Sequence, residues 1–212
     1  MFQRTKQGVA CLVVFAIWIG ATTVIISGTS ASWHVLPTGD MEAIAASLWF
    51  NKLLSNGELT EIHLGREKSP HYVLGSASPF TFRFASSTKN NNLVAAVYCG
   101  HFAQNMGGVV QGGAISSIFD ALTAVAGTVK LQSMGFNTTK SLNVQFRAPT
   151  PLLSVLKFQV VTSEFNQETG TGVVEAELVN GDTGKLYASC TAQLIDMKRR
   201  RRWKKQHPKA KL

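Results

Sequence analysis

The chain has 212 residues, 45% of them hydrophobic, with a formal net charge of +9 from 21 Lys and Arg against 12 Asp and Glu. That length fits one ordinary domain with extensions, and the apolar share is enough for a real core. Nine of the basic residues lie after residue 197, so the rest balances 12 basic against 12 acidic residues. Charge gathered in a tail excludes a nucleic-acid-binding domain, which needs its basic residues on a folded face.

Arg4 and Lys6 precede an uncharged run over residues 9–26. At about 1.5 Å per helical residue it spans roughly 27 Å, enough to cross a bilayer, so residues 1–28 read as a hydrophobic anchor. A signal segment is the alternative, with residues 29–31 as a cleavage site, although its apolar region is normally about 7–15 residues. No acid occurs before Asp40, which leaves mitochondrial import open. Residues 29–69 read as a linker and an N-terminal helix. Asp40 caps a helix from Met41 to about Leu54, Ala43, Ile44, Ser47, Leu48 and Leu54 give it an apolar side, and Asn56-Gly57 ends it. A further helical turn or loop runs to Ser69. This region is expected to serve the main domain as a lid or pedestal.

Strands dominate residues 70–197. Phe80 to Phe84 alternates, Lys89 to Asn92 makes a turn, and Leu93 to Tyr98 is a second strand. Ile115, Ile118, Phe119, Leu122, Val125, Ala126 and Val129 then recur at offsets of three and four, which predicts a long buried helix from about Gly112 to about Leu131. Four more strands follow, at residues 140–147, 155–164, 172–179 and 185–196, with Asn180-Gly181 as a hairpin turn signal. These segments build one long helix wrapped by an antiparallel sheet, an α+β fold. Cys11, Cys99 and Cys190 lie far apart without metal spacing and read as buried structural thiols. The five histidines show no ligand spacing, and there is no phosphate loop or Ser-His-Asp set.

The chemistry concentrates at the helix start. Gly112 and Gly113 open it, where glycine permits close approach and a helix N-terminus offers unpaired N–H groups. Asp120 is an acid within the apolar run, costly there without a partner or a task. Asn105, Gln111-Gly-Gly-Ala114 and Asp120, followed by the strand Ser141-Leu-Asn-Val-Gln-Phe-Arg-Ala-Pro149, resemble the hotdog-fold acyl-CoA thioesterases, in particular their PaaI-like and THEM-type branch. The resemblance covers roughly residues 79–195. It departs at Gln111, where the branch usually has His.

That resemblance implies roles. The Gly112 N–H and the Asn105 side chain would hold the thioester oxygen, donors worth on the order of 3–4 kcal/mol each where charge develops. Asp120 would be general base or nucleophile, and a bonded structural carboxylate is the alternative. Thr139, four residues before Asn143, would orient the water; Thr138 is the one-residue shift, and an ordinary strand threonine the plain reading. Gln111 would modulate rather than abolish activity, because an amide still donates a hydrogen bond. Gly113, Phe146, Arg147 and Gly170 are the expected contacts to substrate or CoA, against a solvated strand end at Arg147 and a plain hairpin over residues 166–172. No metal or organic cofactor is implied.

Gly112 and Asp120 are eight residues apart, or roughly 12 Å along a helix, too far to touch one carbonyl. The two halves of a site must then come from different subunits, which agrees with the paired units of the family and predicts a homodimer or a dimer of dimers. The polybasic tail, residues 198–212, is expected to be disordered and either drawn to anionic lipid or merely solubilising. Ala210-Lys211-Leu212 resembles a peroxisomal signal. Asn137-Thr138-Thr139 is a glycosylation sequon beside the expected site, which favours a mitochondrial or peroxisomal address over the secretory lumen, whereas Arg4 and Lys6 would send the rest of the chain out of the cytosol. The expected function is acyl-CoA hydrolysis at a membrane. The alternative is an acyl-CoA-binding hotdog protein with little or no turnover, with Gln111 as its support. A hotdog dehydratase comes third, for lack of a suitably placed His.

Overall fold

The computed structural model describes residues 16–19, 22–25, 38–62, 73–74, 78–90, 92–131 and 137–207. The chain divides into two compact units, residues 1–42 and 43–212. In the first, Ala16–Ile19 (β1) and Thr22–Ile25 (β2) pair antiparallel. These described parts of the uncharged run are extended rather than helical. The remainder of the expected anchor and the linker after it lie outside the described residues.

Two helices, Thr38–Ala45 (α1) and Leu48–Ser55 (α2), stand where one was expected from Met41 to Leu54. The chain leaves helical geometry at Ser47 (φ −62°, ψ 103°), the N-cap position of α2, where the buried hydroxyl makes no capping hydrogen bond. Asn56 is the C-cap of α2, and Gly57 follows in the left-handed region at φ +71°.

The second unit is built on a seven-stranded antiparallel sheet. Its strands are Leu59–Ile62 (β3), Phe80–Ser87 (β4), Leu93–Cys99 (β5), Asn137–Phe146 (β6), Val155–Asn166 (β7), Thr171–Asn180 (β8) and Leu186–Asp196 (β9). They lie in the order β3-β4-β5-β7-β8-β9-β6. The loop expected up to Ser69 therefore contains the edge strand β3, so the sheet begins before residue 70. The central helix runs from Gly112 to Leu131 (α3), as its periodicity predicts.

Burial of α3 organises the core. Ile115, Ile118, Phe119, Leu122, Val125 and Ala126 are buried against the inward residues of β5, β7, β8 and β9. The Phe119 and Phe158 rings lie 6.0 Å apart. On the other sheet face, Trp49 and Phe50 of α2 pack on Leu59, Ala85, Val94 and Ala96, which makes α2 the pedestal. Every residue of β5 is buried in consequence. A strand covered on both faces reads as a continuous apolar run rather than an alternating one. Arg83 fastens α2 to the sheet edge: its guanidinium pairs with Glu61 at 2.9 Å, donates to Asn51 Oδ1 at 3.1 Å and sits 4.9 Å from the Phe50 ring centre. Among the described residues one stretch, Gly112–Lys130, is long and apolar enough to cross a bilayer, and it is this core helix.

The tail departs from expectation. Met197–Gln206 is a helix (α4), not a disordered segment. The buried Asp196 carboxylate caps it, accepting from the N–H groups of Lys198 at 2.9 Å and Arg199 at 3.0 Å. The same carboxylate pairs with Arg199 Nε at 3.3 Å, and Arg199 also donates to the Gln167 carbonyl at 3.3 Å. At the other hairpin, Asn180 Oδ1 accepts from Asp182 and Thr183, and the left-handed residue is Gly184 (φ +71°) rather than Gly181. Gly181 is instead a packing site, because a Cβ there would fall 2.2 Å from the Trp49 indole nitrogen.

Cys99 and Cys190 are free and buried in the core, as expected, and burial pushes each thiol up from 9.0 to about 12. Native protein carrying Cys11→Ser should release no chromophore from a disulfide thiol reagent near pH 8, and both remaining thiols should titrate once it is unfolded. The same shift fixes a sign. Above about pH 9 the unfolded chain loses thiol protons that the fold retains, so unfolding free energy should fall from pH 9 toward 12, and less so in Cys99→Ala. A second test concerns Gly170, which sits at φ +66° with no room for a Cβ: Arg199 Cβ would lie 2.8 Å away and the Asp196 carbonyl 3.0 Å. Gly170→Ala should cost about 1–3 kcal/mol, read as a lower urea midpoint with an unchanged slope.

Candidate active site

The loop before α3 is shaped by its own polar groups. Asn105 Oδ1 accepts from the N–H groups of Gly107 at 2.8 Å and Val109 at 3.3 Å, and Asn105 N–H donates to the Val109 carbonyl at 2.9 Å. Gly108 supplies the left-handed turn at φ +76°. Isolated bridges Gln104–Val110 and Val109–Pro151 pin the loop to the β6–β7 connection. Gln111 N–H closes it by donating to the Ala103 carbonyl at 2.8 Å. The Asn105 side-chain oxygen is thus committed to the turn, and its Nδ2 hydrogens remain as donors.

Gln111 is the N-cap of α3. Its Oε1 accepts from Ala114 N–H at 2.9 Å, and its backbone carbonyl takes Ile115 N–H at 3.1 Å. The N–H groups of Gly112 and Gly113 find no partner among the described residues. These are the orphan donors of a helix start, at the positive end of its dipole. The Phe146 ring covers Gly112, where a Cβ would lie 3.3 Å from its Cζ. A side chain at 112 would therefore push that half-exposed ring outward by a few tenths of an ångström. The Gln111 amide crowds Gly113 likewise, its Oε1 2.8 Å from a Cβ placed there.

Asp120 lies two turns further on and is exposed. It belongs to a stripe of small or polar residues, Gly113, Ser117, Asp120 and Ala124, on the side of α3 turned away from the core. Its carboxylate has no hydrogen bond or ion pair among the described residues, so it is not held as a structural carboxylate within this protomer. Ser116 and Ser117 hydroxyls donate back to the carbonyls of Gly112 and Gly113, at 3.0 and 2.9 Å.

A β-bulge decides how the two threonines of β6 point. Pairing with β9 shifts between Thr139 and Ser141, so Thr139 stands opposite Leu194 while Leu142, Val144 and Phe146 stand opposite Ala192, Cys190 and Ala188. Those β9 residues all belong to the core, so Thr139 shares the helix-facing side with Leu142, Val144 and Phe146. Thr138, opposite Ile195, faces the other way and is exposed.

The expected substrate contacts fare unequally. Phe146 lies at the helix start, over Gly112, while Gly113 faces the Gln111 amide instead. Arg147 is exposed just beyond β6, its guanidinium bonded to Gln145 Oε1. Gly170 is buried beneath the first turn of α4, which leaves it no surface to offer a nucleotide; that expectation is corrected by the packing of Arg199. Both core thiols are kept protonated by burial, so neither serves as a nucleophile. Two grooves of about 220 and 610 Å³ lie along the polar sheet face and beside Arg200, and neither includes Gly112 or Asp120.

Sequence reasoning passed over Phe102 and Met106, which are 95% and 107% exposed in the segment leading to α3. With Phe146 at the end of β6 and Leu153 in the β6–β7 connection they put four exposed large apolar side chains on adjoining segments. The available signal was local: an isolated Phe and Met beside Gly107-Gly108, in neither a helical nor a strand period.

No family model matches the sequence. Acyl-coenzyme A thioesterase THEM4 of Mus musculus is 37% identical over 95 residues, 45% of this chain and 33% of that protein. The Rattus norvegicus protein of the same name is 29% identical over 119 residues, 56% and 43% of the two chains. The chain thus spans less than half the length of these curated relatives. Among solved structures, a phenylacetic acid degradation-related protein from Ralstonia eutropha is 26% identical with a TM-score of 0.47, covering 55% of this chain and 83% of that one. A Streptococcus mutans protein bound to acetyl-CoA is 17% identical with a TM-score of 0.45, covering 54% and 87%. The chain is thus similar over part of its length to proteins named acyl-coenzyme A thioesterase, and its long helix packed on an antiparallel sheet has the hotdog architecture.

Proposed function

We propose that the chain hydrolyses acyl-CoA to free acid and CoA at a site shared between two protomers. The observation that carries this reading is the split on α3, with unpartnered Gly112 and Gly113 N–H groups at its start and an unpaired, exposed Asp120 roughly 12 Å further along. Neither half suffices alone. The N–H of Gly112 and the Nδ2 of Asn105 polarise the thioester carbonyl, with the Gln111 amide beside them. Asp120 of the partner subunit either takes a proton from water or attacks the carbonyl carbon itself. Thr139 of that same partner subunit orients the water. By the first route the proton taken from water passes to the leaving sulfur as the C–S bond breaks; by the second, attack expels CoA and leaves a mixed anhydride on Asp120, which water then cleaves, so that both routes yield the CoA thiol and a free carboxylate.

Dimerisation is supported by the open edge of the sheet. The ten-residue β6 pairs with β9 on one side and with no described strand on the other. A long free edge invites a second copy in antiparallel register. Such pairing brings two α3 helices side by side and covers the stripe that holds Asp120. A binding protein with little turnover is the second reading. It is favoured by Gln111, whose carbonyl is spent on the Ala114 cap, so that only its amide N–H groups face a ligand.

Release of free thiol from a panel of acyl-CoAs by the full chain tests hydrolysis. Asp120→Asn should lower kcat at least a hundredfold with an unchanged far-UV spectrum, because the side chain is exposed and bonds nothing within its own protomer. Equal mixtures of Asp120→Asn and Asn105→Ala chains, unfolded and refolded together, should recover about a quarter of wild-type activity, since half the dimers are hybrids with one intact site. No recovery means that each protomer holds a complete site, and the shared-site mechanism fails.

We also propose a membrane-associated chain in a mitochondrion or peroxisome. The uncharged run over residues 9–26 and the lack of acids before Asp40 support it. Imaging a tagged chain against organelle markers, with the tag placed internally so that both termini stay free, should give one of these two addresses and no glycan at Asn137.

A further inference from the structure

We propose that α4 is a docking helix for an anionic lipid surface. The way α4 is fastened decides which cations it presents. Arg199 is tied to Asp196 and Gln167, and with Arg200 and Trp203 it forms the half-buried side of the helix. Lys198, Arg201, Arg202 and Lys205 fall at i, i+3, i+4 and i+7 and are all exposed, with Lys204 beside them. That spacing aligns four charges along one outward face. None has an acidic partner among the described residues, and α4 contains no acid. The buried Asp196 cap fixes this face to the end of β9, so the charges form a preset stripe rather than a loose cloud.

The chemistry of the stripe selects its partner. Like charges held on one face repel each other until a dense anionic surface compensates them, and a headgroup layer can meet all of them at once. Trp203 lies on the opposite, half-buried side of α4, its ring stacked 4.8 Å from that of His207, so the outward face is left to the cations. Nucleic acid fits less well. The chain outside residues 198–212 balances 12 basic and 12 acidic residues, which leaves no continuing basic track for a phosphate backbone.

Each Lys or Arg near an anionic bilayer strengthens binding roughly fivefold, so four together give on the order of a hundredfold or more at low salt. The full chain should therefore float with vesicles of phosphatidylcholine containing about 30% phosphatidylserine much more tightly than with phosphatidylcholine alone, and the difference should vanish near 0.5 M salt. The comparison cancels any lipid-blind contribution from the apolar N-terminal run. The variant K198Q/R201Q/R202Q/K205Q should bind both vesicles equally with its far-UV spectrum retained, whereas R201K/R202K should keep the wild-type preference. Equal binding of the wild type to both vesicles overturns the proposal, as does a quadruple variant that keeps the preference. Tighter binding of wild type to a duplex oligonucleotide than to the anionic vesicles at equal salt overturns it in favour of nucleic acid. Asp120→Asn should bind vesicles as the wild type does, which separates this test from that of the hydrolysis.

Discussion

The structure depends on a single burial constraint. The sheet covers only part of the circumference of α3, and that part takes Ile115, Ile118, Phe119, Leu122, Val125 and Ala126. Each such side chain contributes on the order of 1.5–3 kcal/mol when fully buried. Rolling the helix by one residue, about 100°, would expose much of this surface and drive polar groups toward the sheet, where an unpaired charge is far more costly than a lost methyl. The rotation of α3 is therefore locked. What the lock leaves outside is the stripe from Gly113 through Ser117 and Asp120 to Ala124. The acid is positioned by the apolar residues around it rather than by any bond of its own.

The same constraint explains what could be read from the sequence. A twenty-residue element with one apolar face announces itself by its period, and α3 begins and ends where that period does. The long strands are legible for a similar reason, since alternating burial needs only a core on one side. Legibility fails where two distant segments cooperate. The β3 strand is four residues long and exists because β4 offers an edge. Its partner begins eighteen residues after it ends, and nothing local marks the pairing. The break at Ser47 is equally quiet: the apolar spacing runs straight through it, and the serine that ends one helix and precedes the next serves equally well in either reading.

The tail shows how one residue can reverse a compositional expectation. A run of four arginines followed by Trp-Lys-Lys has no apolar face and strong self-repulsion, and composition alone predicts disorder. Composition does not register that the residue before the run, Asp196, is buried at the end of β9 with its carboxylate aimed at the first turn. Capping is worth about 1 kcal/mol, and the adjacent Arg199 pair adds to it. The turn at Gly170 completes the seat, because only a residue without a side chain lets the Arg199 stem lie against it. A glycine that looked like part of a ligand loop is instead a packing surface for the helix.

The positions that carry chemistry were legible as types rather than as geometry. Asn105, Gln111, Gly112 and Asp120 stand out by spacing, but what each does within the protomer is visible only in three dimensions. Asn105 and Gln111 both spend their side-chain oxygens on local backbone N–H groups, which turns two bifunctional amides into pure donors. Thr139 needed a bulge that no sequence rule locates; without the extra residue at Lys140, strand alternation would have turned it to the solvent face together with Ser141 and Asn143. The protomer prepares donors at one end of α3 and an acid in the middle. The distance between them is fixed by the rise of the helix itself, and it is this separation that the proposed pairing of two α3 helices would close.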